Sequence, residues 1–488
     1  MLRVDQDAPP GGLGLSWDTA LQNLEDALLL RRQFNLLSLE IRIAEGSYTP
    51  TDNPLDREAS FELGFATEYP PVSSAFTLTI RGGYAGLGHA DPDEHDPDRF
   101  VTILSGDLNG DDAPGFVNRE DNSHHVVTVR DTIGQLMYLE DLVIEGGNAV
   151  GAQDDRGGGI YVRPGLSEGK LRLSNCLVRD NVAEHGGGIY ADTQSEPYYR
   201  PNVFTLSSAM VLNNLALGSG GGIYANFLTA QFVKVVQNEA REGGGIAVFP
   251  PDGSGGTLRV ETALIAANSA TERGGGGFGG GMSLTRATIV HNSGAEGSAW
   301  FVDGNCSMRL AIVGPQFSAA RAIEVGSGVC TLSVCCVDGG EDQIGPASGW
   351  NGTSTFADPR FRDPLGPDGD ALTWEDNDYR LLFDSPCIDR YYCDVFQSSD
   401  LNANPPCVYA NIASCHDSYR LRDIGAYEYQ PPACPGDFDG DGVLSSADLL
   451  TYLNAYSAQR TQADLAQPCT SWTSDDFMAS MMLYAAGC

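Results

Sequence analysis

Three features of this 488-residue sequence predict an all-β solenoid, a right-handed parallel β-helix, followed by a small α-helical domain. Glycine supplies 59 residues, well above the roughly 7% of ordinary usage, and much of it comes in GGG runs. Short aliphatic strands ending in asparagine lie between those runs. After residue 430 the composition changes, and an Asp-rich loop opens a helical pattern.

Near the N-terminus, Leu21, Leu24 and Leu28 fall on one face of residues 16–34, and Ser16 offers an N-cap oxygen, so this segment reads as an amphipathic helix. Leu39, Ile41 and Ile43 then alternate with Glu40 and Arg42 as a half-buried strand, and residues 77–80 repeat the alternation. The motif GGGIY occurs at 157–161, 186–190 and 220–224, with variants at 243–247 and around 274–282. The asparagines that end the intervening strands are Asn148, Asn181, Asn214, Asn238, Asn268 and Asn292, spaced 33, 33, 24, 30 and 24 apart. Strands this short cannot each bury a core, so they must stack. Glycine permits tight corners, and asparagine bonds backbone at turns, so stacked asparagines are expected to form a hydrogen-bonded ladder at one corner. The longer spacings imply insertions, such as residues 192–201.

Charge and cysteine usage bound the setting. There are 65 acidic and 29 basic side chains, a formal charge of −36, which repels phosphate backbones and anionic lipid headgroups and argues against nucleic-acid binding. No apolar run reaches the roughly 18 residues of a membrane span. Eleven of the twelve cysteines lie from Cys306 onward, with no CxxC pair, which favours disulfides in an exported protein over zinc. No signal peptide opens the chain, so it reads as a mature extracellular or cell-surface protein carrying an added start methionine.

The strongest chemical motif is DFDGDGVLSSAD at 437–448. Asp437, Asp439, Asp441, Ser445 and Asp448 stand at positions 1, 3, 5, 9 and 12 of a calcium loop, with Gly442 at the sharp turn; hard oxygen ligands in that spacing suit Ca2+. The following helix places Leu449, Leu450, Leu453 and Tyr456 on one side. Seven acidic residues against Arg460 make folding of this module calcium-linked. Asp107, Asn109 and Asp111 repeat the oxygen spacing as a second candidate calcium site, although Asp112 replaces the expected glycine. Asp368, Asp370, Glu375, Asp376 and Asp378 read as a solvated acidic loop. Arg172, Arg179, Arg241, Arg259, Arg273 and Arg286 lie in the repeats and are candidates to line one face, with Asp154, Asp155 and Asp180 the nearby carboxylates. With Lys170 and Lys234 the only lysines, any base would be Arg, His or Tyr. None of these forms a recognisable catalytic constellation, and the fold alone confers no activity.

The GGGI and xxxN combination resembles the repeats of the bacterial polymorphic outer-membrane-protein group and related parallel β-helix families. The resemblance extends over residues 2–430 through GLSWDTALQNLEDAL, TILSGDLNGDD, TFADPRFRDP and DIGAYEY. It implies that residues 16–34 cap the solenoid and that 423–429 finish its last strand. Residues 434–488 resemble a dockerin of the type bounded by Cys-Pro and a terminal Gly-Cys, with helix starts at Asp448 and Asp476. The second loop departs from that pattern: Asp464 is followed by Ala466 and Pro468, and Cys469 takes the glycine position, which leaves one calcium, in the first loop. The dockerin resemblance implies a cohesin-like partner. The expectation is therefore a β-helix over 1–430 and a dockerin-like domain over 431–488. Its expected function is non-catalytic binding or structural display, as an adhesin-like or carbohydrate-binding protein toward a polysaccharide or cell-surface ligand. The runner-up is a polysaccharide lyase or glycoside hydrolase acting on an acidic polysaccharide.

Overall fold

Period-two alternation turns one set of aliphatic side chains inward on every coil. Leu171, Leu173 and Val178 are buried on one, Phe204, Leu206 and Val211 on the next, Leu228, Ala230 and Val235 on the third. The computed structural model describes residues 1–34, 36, 38–64, 76–130, 135–162, 170–191, 203–248, 257–346, 350–392, 399–405, 421–431, 434–466 and 473–487. Strand Lys170–Ser174 pairs in parallel with Val203–Ser207, which pairs with Phe227–Val236, then Thr257–Ala266, then Met282–Val290. Among the described residues a second sheet holds ten strands, including Ile160–Val162, Ile189–Ala191, Ile223–Ala225 and Ile246–Val248. A third, of four strands, runs through Val182–His185, Leu215–Ser219, Glu239–Glu242 and Ser269–Arg273. Successive strands thus go to different sheets and pair with their equivalents one coil away, which is a parallel β-helix.

A column of left-handed residues bends the largest sheet. Asp141, Asn175, Ser208, Phe232, Thr262, Arg286, Leu310 and Val334 have φ between 52° and 58°. Such a conformation is uncommon for branched or bulky side chains, and it recurs here because every coil must turn at the same place. Among the described residues one disulfide joins neighbouring coils, Cys306–Cys330, whose residues face each other in register with Cα atoms 4.4 Å apart. Cys434 is also disulfide-bonded, whereas Cys176, Cys335, Cys336 and Cys387 are buried free thiols. Cys393, Cys407, Cys415, Cys469 and Cys488 lie outside the described residues.

At the N-terminal end the helix is shorter than the leucine spacing predicts. Ser16 closes only a 3-10 turn, Trp17–Thr19, its N–H donating to Thr19 Oγ1 at 3.2 Å. The α-helix proper, α1, is Leu24–Phe34, and it starts where Asn23 Oδ1 accepts the Glu25 N–H. It buries Leu24, Ala27, Leu28 and Arg31 against the first coils.

The C-terminal end corrects two further expectations. Residues 423–429 form no strand. Their backbone donors go instead to buried carboxylates: Tyr429 N–H to Asp423 Oδ2, Asp423 N–H to Glu428 Oε2 and Glu428 N–H to Asp400 Oδ2. Among the described residues, short antiparallel pairs, Phe361–Asp363 with Asp378–Leu381 and Tyr391–Tyr392 with Leu421–Arg422, close the solenoid. The helix after the Asp-rich loop, α2 (Ser446–Ser457), buries Asp448, Thr451, Tyr452 and Ala455, while Leu450 and Leu453 are 60% and 38% exposed. Its inner face is set by packing against the closing segment. Phe438, Tyr452, Ala455 and Leu465 share one core with Phe361, Leu381, Phe383 and Ile424, and the Phe383 and Phe438 rings lie 5.1 Å apart. Gln462 adds a bond from Nε2 to the Ser385 carbonyl. The second helix of the module, α3, is Ser474–Ala486. No helix among the described residues is long and apolar enough to cross a membrane.

Candidate functional site

The corner asparagines form a continuous buried column. Asn181 donates both its backbone N–H and its Nδ2 to Asn214 Oδ1, at 3.1 and 3.0 Å. Asn214 does the same to Asn238, Asn238 to Asn268 and Asn268 to Asn292, all at 3.0 Å. Gln316 Oε1 ends the column by accepting the Asn292 N–H at 2.9 Å. Asn148 stands outside it. Gly147 N–H is what meets Asn181 Oδ1, and Asn148 instead pairs with Val182 and bonds the Arg119 carbonyl through Nδ2.

The GGG motif is built around this column. In the coil at 186–188 the first glycine has φ +62°, the second would press a Cβ to 2.3 Å from the Leu215 carbonyl, and the third would meet the Asn214 amide at 2.9 Å. Beside it, Tyr190 and Tyr224 stack at 4.9 Å, and Phe278 and Phe301 at 5.6 Å. Tyr190, Phe278 and Phe301 are buried, yet they alternate with Ile189, Ala191, Trp300 and Val302 of the solenoid core and so stack on its outer side, Tyr190 under Arg156 and the two phenylalanines under Arg273.

In the Asp-rich loop, Asp437, Asp439 and Asp441 each bring a carboxylate oxygen within 4.8 Å of the others. Asp437 is 4% exposed; its Oδ2 accepts the Gly442 N–H at 3.0 Å, while its Oδ1 is buried with no hydrogen-bond partner. Burial, with repulsion from Asp448, Asp441 and Asp437, pushes the Asp439 carboxyl up to about 6. Crowded carboxylates with an orphaned buried oxygen fit a hard divalent cation, which would supply the missing partner and relieve the repulsion. Ser445 and Asp448 are placed differently. Ser445 Oγ accepts the Ala447 N–H at 3.0 Å, and the Asp448 oxygens accept the N–H groups of Asp439 (3.2 Å) and Ser445 (2.7 Å), a capping box on α2. Asp476 repeats this on α3, taking the N–H groups of Ala466 and Thr473 at 2.7 and 2.9 Å.

The earlier acidic loop gathers Asp107 and Asp111 with Asp121, a residue the spacing did not single out. Asp107 is occupied in the turn, its oxygens accepting from Gly110, Asp111 and Asp112. Burial raises Asp112 to about 6, against the Asn122 amide and Arg119.

The six arginines do not converge. Arg179 pairs with Glu145 and Arg286 with Glu261, each at 2.7 Å, and Arg273 pairs with Glu242. Arg172 and Arg259 share one outward column, separated by Thr205 and Thr229. Arg241 is exposed on another side. Asp180 is held by the Asn213 amide at 2.5 Å, and Asp155 lies 3.9 Å from Arg156.

No protein-family model matches the chain, and no curated protein matches it. Among solved structures, pectate lyase Pel9A is similar over 88% of this chain and 96% of its own, with a TM-score of 0.44 and 11% identity. Escherichia coli YbhC is similar over 72% of this chain and 75% of its own, with a TM-score of 0.29 and 12% identity. At those values neither carries an argument about activity. The β-helix rests on the chain's own parallel pairings.

Proposed function

We propose that this is an exported β-helix protein for non-catalytic binding or structural display, anchored by a dockerin-like C-terminal module that closes on one Ca2+. The observation that carries this reading is the buried, unpartnered Asp437 Oδ1 beside Asp439 and Asp441. A partner-binding role for the module is supported by its outer surface, where Leu450, Leu453, Met478 and Met482 are 60%, 38%, 53% and 67% exposed, as a cohesin-like partner would require. The runner-up, a lyase or hydrolase on acidic polysaccharide, would need free arginines or a carboxylate pair across the bond; Arg179, Arg273 and Arg286 are instead tied to glutamates.

The test is a calcium titration of the intact, chelator-treated protein, following protease cleavage within 434–488 and the melting midpoint. Calcium at a hundredfold its dissociation constant stabilises the module by about 2.7 kcal/mol. It should suppress cleavage in the parent and do nothing for Asp437→Asn. Equal protection of both proteins, or none in the parent, refutes the calcium loop.

A further inference from the structure

Two adjacent cysteines in strand Cys330–Val337 turn to opposite sides of the sheet. Cys335 belongs to the solenoid core, where its thiol donates to the Met308 carbonyl at 3.3 Å, as the Cys176 thiol does to the Leu139 carbonyl at the same distance. Cys336 faces outward, into the core that the solenoid shares with the closing segment and the C-terminal module. Cys387, of the closing segment, lies in that same core, and both residues are fully buried. Two chains of contacts bring them together. In the first, the Cys387 carbonyl accepts the Ile424 N–H at 2.9 Å, and the next residue, Gly425, donates to the Leu310 carbonyl at 2.8 Å. Gly425 packs on Ile312, which stands in register beside Cys336. In the second, the Cys336 thiol donates to the Ala357 carbonyl at 3.3 Å, and Ser385 Oγ donates to the Pro359 carbonyl at 2.6 Å while accepting the Cys387 N–H at 3.1 Å. The thiols meet where both chains end. Burial first, and then the hydrogen bond to the Cys336 thiol, pushes the Cys387 thiol well above its ordinary range.

We propose that Cys336 and Cys387 are the reduced form of a disulfide that staples the closing segment to the wall of the solenoid. A disulfide closes only between side chains that already point at each other, which this pair meets and Cys335 does not. The bond forms by exchange with a low-molecular-weight disulfide such as oxidised glutathione. One cysteine thiolate attacks that reagent and expels a thiolate; the other then attacks the mixed disulfide and expels the second. Two protein thiols are oxidised to one S–S bond, the reagent's S–S bond is reduced to two thiols, and the cysteine protons pass to the expelled thiolates. Both sulfurs are sealed from solvent once the segment has docked, so the exchange belongs to folding. Phe438, Tyr452 and Ala455 of the C-terminal module sit in the same core, so the segment held by this bond is the platform on which the module rests. The inference goes beyond the calcium-linked reading and does not depend on it.

The experiment refolds the intact protein from denaturant in a glutathione redox buffer with calcium, then alkylates it in denaturant without reductant. Tryptic peptides 322–360 and 381–390 are mapped by fragmentation mass spectrometry. In most molecules the two should be joined through Cys336 and Cys387, with Cys335 alkylated. Alkylation of both Cys336 and Cys387, or a bond from either to a third cysteine, overturns the proposal. The oxidised parent should also outlast Cys336→Ala about tenfold against protease cleavage within 359–392, and the gap should shrink when both are refolded in excess thiol. A gap that reduction leaves unchanged would mean that only packing was lost, and would overturn the staple. Should Cys336→Ala fail to fold, the peptide map of the parent decides alone.

Discussion

Replacing Asn238 by alanine should break the corner column at its centre. The side chain is fully buried; its Oδ1 accepts the Asn214 N–H and Nδ2, and its Nδ2 donates to the Val211 and Val236 carbonyls and to Asn268 Oδ1, all between 2.9 and 3.0 Å. Truncation strands the Asn214 backbone N–H, whereas the Asn214 amide keeps the Val178 and Leu212 carbonyls. One buried donor left unpaired, plus the net loss of the remaining bonds, comes to about 3–5 kcal/mol. Asn148→Ala is the internal control: half-buried and outside the column, its side chain bonds only the Arg119 carbonyl and the Val150 N–H, a loss of about 1 kcal/mol. Because solenoids need not unfold in one step, the comparison uses urea midpoints by circular dichroism together with hydrogen exchange at the Asn214 amide. Equal midpoints for the two variants, or unchanged exchange at Asn214 in Asn238→Ala, would refute the column as a source of stability.

Two further outcomes follow from the same geometry. Gly188→Ala would place a Cβ 2.7 Å from the Gly222 carbonyl and 2.9 Å from the Asn214 amide, so soluble yield should collapse; Gly151→Ala, in open space at φ +77°, should cost only about 1 kcal/mol of backbone strain, and equal yields would sink the steric account. Burial pushes the Asp389 carboxyl up from 3.8 to about 6, so its ionised form is the one disfavoured in the folded protein. The associated stability is fully present below pH 3.8 and is lost as pH rises through 6; Asp389→Asn should therefore stabilise by about 3 kcal/mol at pH 7.5 and by only about 0.5 kcal/mol at pH 4, and a gain independent of pH would refute this.

The stacking of coils was legible in the sequence because it depends on local spacing: a strand, an asparagine, then three glycines. The exact column was less so. Matching on the letter alone admits Asn148, which is one residue out of register, and omits Gln316, whose Oε1 does the same work from a longer side chain. Spacing also misses Asp121, ten residues past Asp111, because the turn that returns it leaves no periodic trace. Cys336 and Cys387 are 51 positions apart and meet only because the closing segment folds back. The composition change after residue 430 signals a boundary but says nothing of Phe438 and Tyr452 entering the core of the closing segment, since aromatic residues in a small domain equally suit a core of its own.

The coil's three corners tolerate change very differently. From Lys170 to Asn292 the left-handed bend and the asparagine column keep a constant count of residues, whereas nearer the N-terminus the chain lengthens at both with the stack still in register: 82–102 stand opposite 141–142, and 106–122 opposite 146–147. At the third corner the count of residues is loose: Asn226 alone joins Ile223–Ala225 to Phe227–Val236, whereas 192–202 separate Ile189–Ala191 from Val203–Ser207, and 249–256 separate Ile246–Val248 from Thr257–Ala266. Within those later coils sequence drift is thereby channelled to one edge. A lineage could rewrite that edge segment by segment, trading recognition properties, without renegotiating the architecture that holds the edge in place.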